Sequence, residues 1–143
     1  MIVPDINLLI YAYDTHSAHH ALARSWWERA LSGEETVGLA LPVIFGFLRL
    51  ATSPRVFAKP LPVVEALGHI RAWLAQPQTQ VLQPGPRHLE IAFRLIEGLG
   101  VAANLTTDAQ LAALAIENQA TLCSSDCDFA RFPGLRWVNP LAH

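Results

Sequence analysis

Basic charge is what this chain has least of. Lys59 is its one lysine, and Lys and Arg together number 10 against 12 Asp and Glu, for a formal charge of −2 over 143 residues. Such a balance leaves no chain-wide basic footprint, so contact with a polyanion has to come from local arginines or bound cations. Cysteine is nearly as sparse, with only Cys123 and Cys127, four positions apart. A zinc site takes about four ligands, and no second Cys or His pair stands at a matching spacing. A disulfide would have to close across a tight turn in a chain without secretory features. Both are expected to be free thiols, with Cys123 buried in a strand. No apolar run approaches the ~20 residues of a membrane span. The opening MIVPDINLL lacks the basic n-region of a signal peptide and turns acidic by Asp5. No membrane partner and a cytoplasmic location are the expectation.

Charged residues make up only 15% of the chain and hydrophobic ones 52%. That balance suits one compact α/β domain spanning residues 1–143, its central sheet covered on both sides. It also leaves apolar surface for a partner. Met1–Pro4 is a short apolar strand closed by Asp5, which is placed to cap a helix over Ile6–Tyr13. A second helix is expected over His16–Leu31. The histidines at its start, His16, His19 and His20, have no HExxH pattern and need no metal. Thr36–Leu41 is expected as a strand, and Pro42 opens a third helix running to about Ala51. Arg49 is the only charge on that helix, either reaching back to water or placed to meet an anion.

The segment Thr52–Pro62 is punctuated by proline and is the best candidate for a mobile or partner-contacting loop. Helices over Val63–Leu74 and Arg87–Leu99 follow, with a brief strand at Val81-Leu82 between them. Leu105–Asn118 is the clearest helix, rich in Ala and Leu. Thr107 and Gln110 have the spacing of a capping box, and Asp108 falls in the first turn, where the helix dipole favours a carboxylate. Strands at Ala120–Cys123 and Leu135–Val138 complete the chain. Strands alternating with long helical crossovers predict a three-layer α/β/α sandwich around a short, mostly parallel sheet.

The stretch Ala120–Pro133, ATLCSSDCDFARFP, empties a strand into a loop with two aspartates, Asp126 and Asp128. Open α/β proteins place ligands just beyond the carboxyl ends of their strands. Asp5 and Asp108 stand at similar edges. Two carboxylates ~4 Å apart repel by about 4 kcal/mol at an effective dielectric near 20, so four together require a cation. With no His or Cys among them the donor set is all oxygen, which selects Mg²⁺ or Mn²⁺. One or two such ions would bind a phosphodiester, activate a water and steady the leaving oxygen. Asn7 and Ser124 would support the ligands as neutral hydrogen-bonding groups. Arg49 and Arg131 are candidate phosphate contacts.

These segments resemble the motifs of PIN-domain nucleases. Asp5-Ile6-Asn7 after an apolar strand is similar to their first motif. Thr107-Asp108-Ala109 followed by Ala112–Ala115 resembles the third, and Ser124–Phe129 closing on Arg131-Phe132-Pro133 the fourth. Leu41–Phe57 looks like the bacterial VapC-type toxin branch. The resemblance implies a metal-dependent endoribonuclease acting as the toxin of a toxin–antitoxin pair. It further implies a homodimer, an antitoxin whose tail fills the active-site cleft, and a structured RNA such as tRNA as substrate. The catalytic metal ligands would be Asp5, Asp108, Asp126 and Asp128.

The chain departs from that pattern on the third helix, where the family commonly has a glutamate a few residues before the arginine. Aligned on Arg49, that place holds Gly46. Three or four aspartates suffice, or another acid such as Glu28 or Glu35 swings in, or activity is weakened. A second reading is therefore a PIN-fold module that binds RNA or a partner without turnover. A phosphatase or receiver with Asp5 as nucleophile fits less well. Such sites want a second acid beside the first and a lysine on a later strand, whereas position 7 is Asn and Lys59 lies in a loop.

Overall fold

A computed structural model describes residues 1–142. Five strands form one sheet in the order β3-β2-β1-β4-β5, every pairing parallel. They are β1 (Ile2–Pro4), β2 (Val37–Ala40), β3 (Thr79–Leu82), β4 (Thr121–Cys123) and β5 (Arg136–Val138). Between them run α1 (Ile6–Tyr13), α2 (His20–Ser32), α3 (Leu41–Ala51), α4 (Val63–Leu74), α5 (His88–Leu99) and α6 (Leu105–Glu117). Among the described residues, none of these helices is long and apolar enough to cross a membrane.

The strand order sets where a ligand can sit. Crossovers from β1 to β2 to β3 step one way, and the connection from β3 returns past β1 to β4. Right-handed crossovers therefore put α1–α4 on one face and α5 with α6 on the other. Consistent with this, α1 packs on α2 and α3, α3 on α4, and α5 on α6. The direction reverses between β1 and β4, and the crevice beyond their carboxyl ends is the switch point of the fold.

Pro4 ends the β1–β2 pairing early. Backbone N–H groups of β1 alternate in direction, with Ile2 donating to Thr36 on the β2 side and Asp5 to Cys123 on the β4 side. Pro4 falls on the β2 side and has no N–H to donate. The β1–β2 register accordingly stops at Ile2↔Val37, while β1 stays paired with β4 through Pro4↔Cys123.

One side of the core is aromatic. Trp27 and Trp73 meet edge to face at 5.6 Å, Phe47 lies 4.8 Å from Trp73, and Trp73 Nε1 donates to the Tyr13 hydroxyl at 2.7 Å. These contacts clamp α1, α2, α3 and α4 together. On the other face Ala109, Ala112, Ala113 and Ala115 of α6 are fully buried, which lets that helix lie close to the sheet.

Several boundaries differ from the sequence expectation, each for a local reason. The second helix starts at His20, not His16, because Asp14 and Ser17 side chains accept from the backbone of His16 and His19 and hold a turn there. The capping box is not formed. The Leu105 N–H is already taken by the Ala102 carbonyl, α6 starts two residues before Thr107, and its N-cap Asn104 makes no side-chain bond. The segment 52–62 is anchored: Phe57 is buried, and its N–H bonds the Ser53 carbonyl.

Candidate active site

Asp5 leaves β1 as the N-cap of α1, its Oδ1 accepting from the Ile6 N–H at 2.8 Å. Its Oδ2 accepts from Ser124 Oγ, also at 2.8 Å. Ser124 is completely buried at the end of β4. Its hydroxyl oxygen in turn accepts from the Asp126 N–H at 3.0 Å and from Asn7 Nδ2 at 3.4 Å. One donated and two accepted bonds saturate a hydroxyl, so Ser124 is the hub joining the first and last segments. Its carbonyl accepts from Trp137 Nε1 at 3.0 Å, which pins the hub to β5. Asp126 then caps the 3₁₀ turn Cys127–Arg131 by accepting from the Asp128 N–H at 2.9 Å. Buried Phe129 and Phe132 hold that turn from below.

Asp108, in the first turn of α6, comes to the same point as the two loop carboxylates. Asp108, Asp126 and Asp128 each offer an oxygen, and the three lie within 4.8 Å of one another. Asp5 stands beside them, close enough to act electrostatically on Asp108. The Asp108 carboxyl is pushed up to about 6, first by burial and then by the charges of Asp5, Asp126 and Asp128. Burial raises Asp5 too, opposed by the Ser124 hydroxyl and the Ile6 N–H, with Asp126 adding repulsion.

Among the described residues none of the four acids is in an ion pair. Asn7 Oδ1, at the edge of the same network, is buried without a partner. A hard divalent cation with its waters suits this set: carboxylate oxygens converge, and an amide oxygen is left over. Thiols do not compete. Cys127 is exposed outside the group, and burial pushes the Cys123 thiol up to about 12, so it stays protonated.

Beside the acids opens a cleft of about 540 Å³, to which Asp5 and Asp108 contribute. Leu41 and Pro42 of α3, Leu82 of β3, and Leu111 and Leu114 of α6 make its walls mainly apolar. His88, at the start of α5, also lines it. That imidazole is only 9% exposed, and among the described residues its Nδ1 has no partner.

The PIN domain family model matches residues 2–135. The chain belongs to the PIN-domain family. Ribonuclease VapC33 of Mycobacterium tuberculosis is 52% identical over 141 residues, covering 99% of both chains. Ribonuclease VapC37 of the same organism is 43% identical over 142 residues, again covering 99% of both. Within the family the chain therefore falls in the VapC branch. VapBC2 from Rickettsia felis, solved bound to a promoter DNA fragment, superposes with a TM-score of 0.70 at 18% identity. That match covers 97% of this chain and 98% of the other, and it speaks for the fold.

The structure makes the departure on α3 concrete. Gly46 is buried against α1, and a Cβ there would overlap the δ-methyl of Ile6. The place where the sequence resemblance led us to expect an acid is filled by hydrocarbon. Nor do the two other glutamates reach the cluster. Glu28 accepts from Arg24 Nε at 2.9 Å on α2, and Glu35 lies 3.4 Å from the N-terminal amine, ahead of β2 and thus at the opposite end of the sheet. Arg49 is exposed in the last turn of α3, about 12 Å along the helix from Leu41, and does not line the cleft. Arg131 is exposed at the end of the turn that carries Asp128. The sequence reading missed His88. A lone histidine after a proline turn carries no distinguishing signal.

Proposed function

We propose that this PIN-domain protein is a Mg²⁺- or Mn²⁺-dependent endoribonuclease, the toxin of a toxin–antitoxin pair, acting in the cytoplasm. The observation that carries the reading is the convergence of Asp108, Asp126 and Asp128 within 4.8 Å, Asp5 beside them, with no cationic side chain among the described residues paired to any. Membership of the VapC branch supports RNA as the substrate, an antitoxin as partner and a homodimer as the assembly.

The four aspartates would hold the ion. When bound, it supplies Lewis acidity that polarises the phosphodiester and makes a water a competent nucleophile near neutral pH. The chain's own part is geometric. Ser124 holds the Asp5 carboxylate and the Asp126 cap holds the backbone of Asp128, so these groups are ordered before substrate arrives. Arg131 reaches the backbone phosphates from its exposed turn. Arg49, on the last turn of α3, is left to a part of the RNA away from the cut. RNA cleavage that requires Mn²⁺, stops with EDTA and is lost in Asp5→Asn tests the assignment.

Gly46 favours one second reading, a module that binds RNA or a partner without turnover. Growth arrest on expression that persisted in the aspartate variants would support it.

A further inference from the structure

We infer that the apolar cleft beside the acids receives an unstacked nucleobase flanking the scissile bond, and that His88 reads its edge. The inference rests on the ribonuclease reading and adds a source of sequence preference to it. Asp5 and Asp108 belong both to the acidic cluster and to the cleft, so a nucleotide whose phosphate lies at the acids has its base within reach of these walls. A base has apolar faces and a polar rim. Its faces suit Leu41, Leu82 and Leu111, and its rim suits the few polar groups here, Thr107, Gln110 and His88. The volume of about 540 Å³ lies inside the range of ~300–1,000 Å³ typical of small-molecule sites.

His88 is the group without another explanation. It is nine-tenths buried, and among the described residues neither ring nitrogen has a partner. Nδ1 is sealed from solvent, so the nitrogen a ligand in the cleft can meet is Nε2. A ring nitrogen donates to or accepts from a base edge according to its tautomer, and unstacked bases are the usual means of sequence recognition in RNA. The residue is also held firmly. Glu117 of α6 accepts from the Gly85 N–H at 2.7 Å and the Arg87 N–H at 2.9 Å, and the His88 N–H bonds the Gly85 carbonyl at 3.2 Å.

The test cuts a fully randomised oligoribonucleotide pool with the wild type in Mn²⁺ and sequences the products, beside His88→Phe and His88→Gln. In parallel, Asp5→Asn protein, with and without His88→Phe, is used to select binders from the same pool. The quantity read is the ratio among the four bases at each position, which is independent of overall rate. The wild type is expected to prefer one base at a position next to the cut by about tenfold, the worth of one good hydrogen bond. His88→Phe should flatten that preference, and His88→Gln, which keeps a donor and an acceptor, should retain part of it. Identical base profiles in wild type and His88→Phe would overturn the inference, as would a wild type indifferent to base in both assays. That result would leave the cleft to an apolar partner segment. Base-selective binding without metal-dependent cutting would instead overturn the ribonuclease reading and leave the subsite standing.

Discussion

Ser124 Oγ donates to Asp5 Oδ2 at 2.8 Å across 119 positions of sequence, and both residues are buried. This bond joins the carboxyl ends of β1 and β4, the two strands between which the fold reverses direction. It orients the least exposed of the four acids, and the same hydroxyl accepts from the Asp126 N–H.

Replacing Ser124 with Ala removes the donor to Asp5 and the acceptor for Asp126 together. The expected cost is about 1–3 kcal/mol, seen as a lower denaturant midpoint at unchanged slope. Cleavage should fall by about 10–100-fold, as for other groups that orient metal ligands. A variant with the wild-type rate would separate Ser124 from the site.

The Asp108 carboxyl, raised to about 6 from 3.8, predicts a pH dependence of definite sign. Between those values the folded, metal-free protein keeps a proton that the unfolded chain has released, so stability falls as pH rises through the window. Asp108→Asn should therefore melt higher than wild type without metal at pH 7, by a few degrees for about 1 kcal/mol after allowing for solvent screening. The advantage should vanish near pH 4. Cation binding runs the other way, since the ligand must lose its proton first. Mn²⁺ affinity by calorimetry should be about tenfold weaker at pH 5 than at pH 7, and a constant affinity would contradict the assignment.

Gly46 and Ile6 are predicted to be energetically coupled. Gly46→Ala places a Cβ against the Ile6 δ-methyl and should destabilise by about 1–3 kcal/mol. Shortening Ile6 to Val should recover part of that loss. A double-mutant cycle by chemical denaturation reads the coupling directly, and strict additivity would show that the position has free space.

Much of this fold was legible in the sequence because it rests on local patterns. The helix over Val63–Leu74 matches its apolar spacing, and Asp5 is the N-cap its position suggested. The sheet is wholly parallel where a mostly parallel one was expected. Misplaced boundaries came from side-chain-to-backbone bonds at Asp14 and Ser17, which compete with a helix start without changing its apolar pattern.

The acids could be named from the sequence, since each follows a strand or opens a helix. Their spacing in space could not, because it depends on the long-range Ser124 bond, on buried Phe129 and Phe132, and on where the first turn of α6 meets that loop. His88 was out of reach for the same reason. Its burial and its unpartnered nitrogen arise only when α5 is laid against α6.

The most direct measurement is cleavage of RNA by antitoxin-free protein, with Mn²⁺ or with EDTA, beside Asp5→Asn of matched thermal stability. Cutting that needs the metal and disappears in the variant is expected, with Gly46 tolerated. Cutting that survives EDTA, or an Asp5→Asn protein as active as the wild type, would contradict the ribonuclease reading.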